Sequence, residues 1–366
     1  MSSQTTTRLV PKLIEMVKSN ARLKRDNIKP ALMEHVSMRH KLLSIPSNVP
    51  KNVAHVGGER SYVLLGSLCK LENALMKWAM EELVSKHDFI PVVVPNILHD
   101  DIIERCGFPT KSKRSQVYKI SGTNKDSILD PNSSLASATR KTHSCLAGTS
   151  EFALASIHIG NSIPFDELPK KYCALSRCYR AETSSTASEW GIYRVHYFNK
   201  VEMFAFTMPD KSDEMHKQFL RIQKDLFNQL ELDFRILDMP EDDLGLSAKR
   251  KYDIEAWMNG RQRFGEVSST SNCEDYQSSR LNIKYSQMLE QDNQLHVDEG
   301  YVHTVNGTAC SSARTLIALC EQHQTEEGTV RIPKVLVPYM NGIEQIPTAE
   351  DEKLLAEVDL YPEAAK

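Results

Sequence analysis

Apolar positions recur at helical spacing from Gly66 to Lys86, where Leu68, Leu71, Leu75, Trp78, Ala79 and Leu83 predict a buried amphipathic helix. A second helical pattern runs from Lys12 to Leu43. Leu13, Val17 and Ala21 share a face, Pro30 interrupts it, and Leu32, Val36 and Leu43 resume it. Two more helices are expected at 212–231 and 313–323. Strand-like runs occupy 172–182, 192–206, 233–238, 252–257 and 264–270. Val92-Val93-Val94, set between two prolines, reads as a short strand that ends abruptly. Residues 111–141 are rich in Lys, Ser, Asn and Thr without periodicity, a long basic loop of the kind that serves function or moves. Grouped strands with segregated helices specify an α+β domain with a mostly antiparallel sheet flanked by helices. Pro46, Pro50 and their polar neighbours form a linker. The chain therefore divides into a short helical N-terminal appendage over 1–50, a main domain over 51–350 and an acidic C-terminal tail over 351–366.

Composition narrows the classes. A chain of 366 residues, 40% hydrophobic and 25% charged, can bury a sizeable core. Its 45 Lys and Arg against 48 Asp and Glu leave a net charge of −3, which points to neither a basic nor an acidic partner. The best apolar run, Phe89 to Leu98, is broken by Pro91 and Pro95, so no membrane span is expected. Eight cysteines form no C-x-x-C and no even framework, and read as reduced thiols rather than disulfides or a zinc ribbon. The N-terminus lacks the apolar core of a secretory signal. It runs basic through Arg8, Lys12, Lys18, Arg22, Lys24 and Arg25, a pattern that fits a mitochondrial presequence and a solvated basic helix equally well.

The chemistry concentrates in 177–206. Strand side chains alternate faces, so Arg180 and Glu182 share one face of the first strand. A Ser/Thr-rich loop from Thr183 to Gly191 reverses the chain. On the return strand Arg194, His196, Phe198, Lys200 and Glu202 have one parity, and Val195, Tyr197, Val201 and Met203 the other. A face carrying so many charges is costly to bury unless they meet each other or a ligand. Two readings remain open from parity alone. One is an exposed face dotted with ion pairs. The other is a floor whose arginines are spaced for phosphates and whose Phe198 takes a base.

R-x-E, a loop, then R-x-x-x-F-x-x-x-E resembles motif 2 of the class II aminoacyl-tRNA synthetases. Leu146-Ala147-Gly148-Thr149-Ser150-Glu151 resembles the T-x-E loop of the seryl family. Phe264-Gly265-Glu266-Val267-Ser268-Ser269, followed by Ser271-Asn272-Cys273 and Asp275-Tyr276-Gln277, resembles its E-[IV]-S-S…SNC…DYQ block. His303-Thr304-Val305-Asn306-Gly307-Thr308-Ala309 with Arg314 resembles motif 3, and the helix from Gly66 with the strand ending at Pro95 resembles motif 1, the dimerisation element. The animal mitochondrial type is the nearest in flavour. Taken singly each block has a bland reading: a capped turn at 149–151, an edge strand at 266–269, a turn at Asn306-Gly307. Four blocks in family order over roughly 55–345 do not.

The resemblance implies a class II catalytic domain that makes seryl-adenylate from serine and ATP with Mg²⁺ and passes serine to the 3′ end of tRNA(Ser), as a homodimer and without zinc. It implies catalytic roles for Arg180 and Arg314. ATP would meet Arg180, Glu182, Arg194, Val195, Phe198, Glu266, Val267, Ser268, Ser269 and Arg314, with Glu266 and Ser269 holding the metal. Serine would meet Thr149, Ser150, Glu151, Arg180, Glu202, Asn306 and Thr308. Glu266 and Ser269 have opposite parity, so alternation alone does not pair them. The mitochondrial matrix is the expected compartment, the cytoplasm the alternative. Other readings of the same blocks are a catalytically silent paralogue acting as a binding or regulatory subunit, and an amino acid:carrier-protein ligase. Ser279 stands where the family usually has a second arginine, Tyr197 where glutamine is common, and 310–313 lacks a glycine often seen in motif 3. About fifty residues precede the catalytic blocks, so the family's coiled-coil arm is expected to be absent or a short hairpin. Truncated serine tRNAs would then be charged without reliance on a long variable arm.

Overall fold

The computed structural model describes residues 57–346 except 59, 65, 113–114, 121–142, 183–191, 292–293 and 327–328, together with the backbone of Leu13–Ile14. The remainder of the helix expected over 12–43, the rest of the 1–50 appendage and the 351–366 tail lie outside the described residues. Leu13–Ile14 itself (β1) pairs as a strand with Leu237 and Ile236.

Helix α1 (Gly66–His87) covers the expected helical stripe and buries Leu71, Leu75, Trp78, Ala79 and Leu83. After it come β2 (Ile90–Pro91), β3 (Ile97–His99), α2 (Asp100–Arg105), β4 (Ser144–Leu146), α3 (Glu151–Ala155) and β5 (Ser162–Pro164). The long antiparallel strands follow: β6 (Lys170–Tyr179), β7 (Tyr197–Thr207), then α4 (Ser212–Gln229), β8 (Phe234–Asp238), β9 (Arg250–Met258) and β10 (Arg263–Glu274). Helix α5 (Tyr276–Leu281), β11 (Lys284–Gln291), β12 (Gln294–Tyr301), β13 (His303–Ser311), α6 (Ser312–Gln322), β14 (Val330–Arg331) and β15 (Gln345–Ile346) complete the described chain.

The main sheet has eight strands in the order β1-β8-β9-β10-β13-β7-β6-β2. Only β2 runs parallel to its neighbour, pairing Ile90 with Tyr172 and Pro91 with Cys173. The α+β expectation of an antiparallel sheet flanked by helices is what the chain forms. Strand β7 shows how one sequence serves two faces. Val201, Met203 and Ala205 join the core shared with α1, α4 and α6, whereas Phe204 and Phe206 face a second core with Ile103, Phe152, Leu154 and Leu281. Phe198, Lys200 and Glu202 continue that second face into a cavity instead of a core.

Three expectations are corrected, and one hairpin was not foreseen. The strand at Val92–Val94 is instead Ile90–Pro91. The Val92 N–H still donates to Cys173 O at 2.8 Å, but the chain then leaves the sheet, and Val93 is 98% exposed. Strand β6 stops at Tyr179, just short of Arg180 and Glu182. Strand β7 begins at Tyr197, because Ile192 and Val195 are buried in a turn against the helix-side core. The β11–β12 hairpin, paired in parallel with β5, was not expected, since its largely polar strands carry no strong alternation.

Candidate active site

A cavity of about 310 Å³ lies on the sheet between β7, β10 and β13, a size that suits a small-molecule site. Loops 106–108 and 245–248 close one side. Its two halves differ in charge.

In the first half a buried cation faces two carboxylates. Lys200 Nζ lies 2.5 Å from Glu202 Oε2 and donates to Thr149 Oγ1 at 2.7 Å. The Thr308 hydroxyl donates to the same Glu202 oxygen at 3.3 Å. Glu202 and Thr308 are register partners on β7 and β13, so the backbone ladder sets this contact. Glu151, at the start of α3, accepts from Gln277 Nε2 at 2.7 Å, and Gln277 Oε1 in turn accepts from Thr304 at 2.8 Å. Burial, and then the charge of Glu202, push the Glu151 carboxyl up to about 7.

The second half gathers arginines. The Arg180 guanidinium lies 5.2 Å from the Phe198 ring centroid. Arg314 donates through Nη1 to Glu266 Oε2 at 3.0 Å and Glu266 O at 2.9 Å, and through Nε to Tyr193 O at 3.2 Å. Burial opposes ionisation of Glu266, but Arg314 and Lys251 outweigh it and hold the carboxyl below its ordinary range. Glu182 accepts from Gln116 at 3.1 Å and pairs with Arg194 at 3.5 Å. Lys251, also lining the cavity, pairs with Asp253 at 2.8 Å.

Glu266 and Ser269 both line this half despite their opposite parity. A β-bulge is the cause. Glu266 pairs with Glu255 and Ser268 with Ile254, so Val267 is the extra residue that shifts the alternation by one.

Of the expected residues, Thr149, Glu151, Arg180, Glu182, Arg194, Val195, Phe198, Glu202, Glu266, Val267, Ser268, Ser269, Asn306, Thr308 and Arg314 all line the cavity. Ser150 does not. It is 1% exposed at the N-cap of α3, beneath the loop that presents Thr149 and Glu151. The Ser268 hydroxyl donates to Thr308 O at 2.6 Å and accepts from Gln223 Nε2 at 2.9 Å, so its side chain ties β10 to β13. Sequence reasoning passed over Lys200, although it shares the parity of Phe198 and Glu202. It also missed Tyr193 and Lys251, and nothing in the sequence marks loops 106–108 and 245–248. Tyr197 proves structural: it stacks on Tyr62 with centroids 5.0 Å apart and donates to Tyr62 O, pinning the segment before α1. Ser279 bonds to Tyr276 O within α5 and does not line the cavity.

An antiparallel sheet floor presenting arginines, an aromatic ring and buried carboxylates to one cavity defines a class II synthetase type of catalytic domain. Residues 136–323 match the family described as tRNA synthetase class II core domain (G, H, P, S and T), and the chain belongs to that family. It is 42% identical over 301 residues to the mitochondrial serine–tRNA ligase of Bos taurus, covering 81% of this chain and 53% of that protein. Identity to the serine–tRNA ligase of Treponema denticola is 37% over 290 residues, 78% of this chain and 62% of the relative. Among solved structures, the seryl-tRNA synthetase from Pyrococcus horikoshii complexed with ATP is similar at TM-score 0.69 and 35% identity, over 81% of this chain and 60% of that one. The cytoplasmic serine–tRNA ligase from Naegleria fowleri in complex with AMP gives TM-score 0.71 at 28% identity, over 93% and 65%. The chain thus spans about half the length of its mitochondrial mammalian relatives.

Proposed function

We propose that the chain is a serine–tRNA ligase. The serine carboxylate attacks the α-phosphorus of ATP, pyrophosphate leaves, and the 3′-terminal ribose of tRNA(Ser) then takes the seryl group with release of AMP. The observation that carries this is the buried Lys200–Glu202–Thr308–Thr149 cluster beside the Arg180–Phe198 pair in one cavity. Lys200 and Thr308 both engage Glu202 Oε2, and no hydrogen bond reaches Oε1 among the described residues, which leaves an acceptor for the substrate hydroxyl. Arg180 lines the same cavity, where its planar fork suits a carboxylate and an α-phosphate together. Phe198 offers its face to adenine, and Arg314 lies where the far phosphates would be received. These groups position and neutralise charge, which is most of what adenylyl transfer requires.

Mg²⁺ fits the residues present. Hard cations of this size keep several waters and take one or two carboxylates plus substrate phosphates, and Glu266 is an ionised carboxylate beside Ser269. When bound, the ion neutralises charge on the triphosphate. The reading includes no zinc. A homodimer is supported by the apolar residues left on the surface around β2 and β3, where Ile90 is 51%, Val93 98% and Ile97 54% exposed. Sedimentation at twice 41.5 kDa is the expected result, and a concentration-independent monomer the contrary one. Work in the mitochondrion is supported by the names of the mammalian relatives, the matrix is the compartment this reading assigns within it, and cell fractionation tests both.

Serine-dependent ATP–pyrophosphate exchange, then transfer of labelled serine to tRNA, tests the function. No exchange would indicate a silent paralogue. Exchange with transfer only to a carrier protein would indicate the carrier-protein ligase.

A further inference from the structure

We infer that Tyr193 is a positioning residue for the triphosphate half of the cavity, acting through Arg314. Two guanidinium groups lie over its ring, Arg261 at 3.6 Å and Arg314 at 4.4 Å from the centroid. Its carbonyl accepts from Arg314 Nε at 3.2 Å. Tyr193 therefore engages Arg314 twice, by ring and by backbone, while Glu266 takes Nη1.

Gathering like charges at one ring is unfavourable unless something offsets them. Burial, and the nearby Arg263 and Arg314 charges, disfavour the charged form of Arg261, and Tyr193 partly compensates through its hydroxyl. The arrangement makes sense where an anion is due, and Arg314 and Glu266 line the cavity at this point. Arg261 does not line it, so Tyr193 is the link between that second cation and the site.

Gly265 supplies an independent observation. A Cβ at this position would stand 2.9 Å from Tyr193 Cε2 and 2.9 Å from Met258 Sδ. The missing side chain, one residue before Glu266, is what admits the ring. Ring, arginine and carboxylate thus form one packed unit, in which a displaced ring tilts the guanidinium that must meet phosphate.

The inference rests on reading Arg314 as an ATP ligand, so the test starts with ATP itself. Calorimetric titration of the full-length protein with MgATP is paired with exchange kinetics for wild type, Tyr193→Leu, Tyr193→Phe and Gly265→Ala. Losing the ring should weaken ATP binding about tenfold, the order of a desolvated cation–π contact, while the Michaelis constant for serine stays within about twofold. Tyr193→Phe, which keeps the face, should stay within about threefold of wild type. Gly265→Ala should weaken ATP binding when tyrosine is present and add little in the Tyr193→Leu background, because the contact with the ring is gone and the one that remains is to the flexible end of Met258. Tyr193→Leu or Gly265→Ala with wild-type ATP affinity overturns the inference, as does equal loss for serine and ATP. Phenylalanine failing as badly as leucine overturns it too. A wild-type protein that binds no ATP overturns the reading of the site itself, and is told apart by that first titration.

Discussion

Replacing Lys200 by methionine should separate the stability of the serine half from its function. The ammonium lies 2.5 Å from Glu202 Oε2, with side chains only 7% and 3% exposed. Methionine fills nearly the same volume, so little cavity forms and the cost is electrostatic. Removing one partner of a buried pair costs about 3–5 kcal/mol, because the remaining charge is stranded. The Thr308 hydroxyl at 3.3 Å offsets about 1 kcal/mol at most, leaving a net loss of roughly 2–4 kcal/mol. With a urea m-value of about 3 kcal/mol/M, the unfolding midpoint should fall by roughly 1 M. Glu202→Gln strands the ammonium instead and should cost a similar amount. The double variant strands neither charge of the pair and should recover most of the loss, giving a coupling of roughly 2 kcal/mol or more. Serine-dependent exchange should be lost in all three, since Thr149 and the Glu202 acceptor are no longer held. The assay is equilibrium urea unfolding beside exchange. A Lys200→Met midpoint indistinguishable from wild type, or a double variant no more stable than Lys200→Met, would refute the account of the pair.

Arg180→Lys should lose most serine-dependent exchange while remaining folded, because lysine cannot copy a fork that meets phosphate and carboxylate oxygens; near-normal exchange by the folded variant removes Arg180 from the site. Glu151, raised to about 7, binds more protons folded than unfolded between its ordinary value of 4.5 and 7, so its ionisation opposes folding as pH rises through that window. Glu151→Gln should then be more stable than wild type by about 2–3 kcal/mol at pH 8, with the gain fading toward pH 4.5, as urea melts across pH will read. The same group should make kcat/KM for serine rise through about pH 7; a flat profile in both measurements contradicts the assignment.

Much of this site was legible because β7 is regular. Phe198, Lys200 and Glu202 share a parity in the sequence and a cavity in the structure. Glu266 and Ser269 were not legible from alternation, since the bulge at Val267 leaves no mark in residue type. Only the family resemblance paired them. Ser150 shows the converse limit. A motif match carried it into the serine set, but the α3 N-terminus turns it into the interior while Thr149 and Glu151 face the cavity. The three long helices α1, α4 and α6 were readable from stripes of Leu, Ile and Phe, whereas the short α2, α3 and α5 carry no such stripe, and β11 and β12 pair strands such as KYSQMLEQ that expose Met288 and Val297 and bury little. Tyr193 leaves no mark in the sequence because its partners come from two distant segments, Arg261 and Gly265 in the β9–β10 hairpin and Arg314 in α6, that only the fold brings together.

The central claim is that this cavity activates serine by reading its hydroxyl. ATP–pyrophosphate exchange measured side by side with serine and alanine addresses it most directly. Alanine would leave Glu202 and Thr308 buried without their partner, and discrimination of that kind reaches about 10⁴-fold. The account predicts robust exchange with serine and a kcat/KM for alanine lower by roughly that factor. Exchange with alanine within about tenfold of serine would contradict it, because a pocket so indifferent cannot be held together by the hydroxyl.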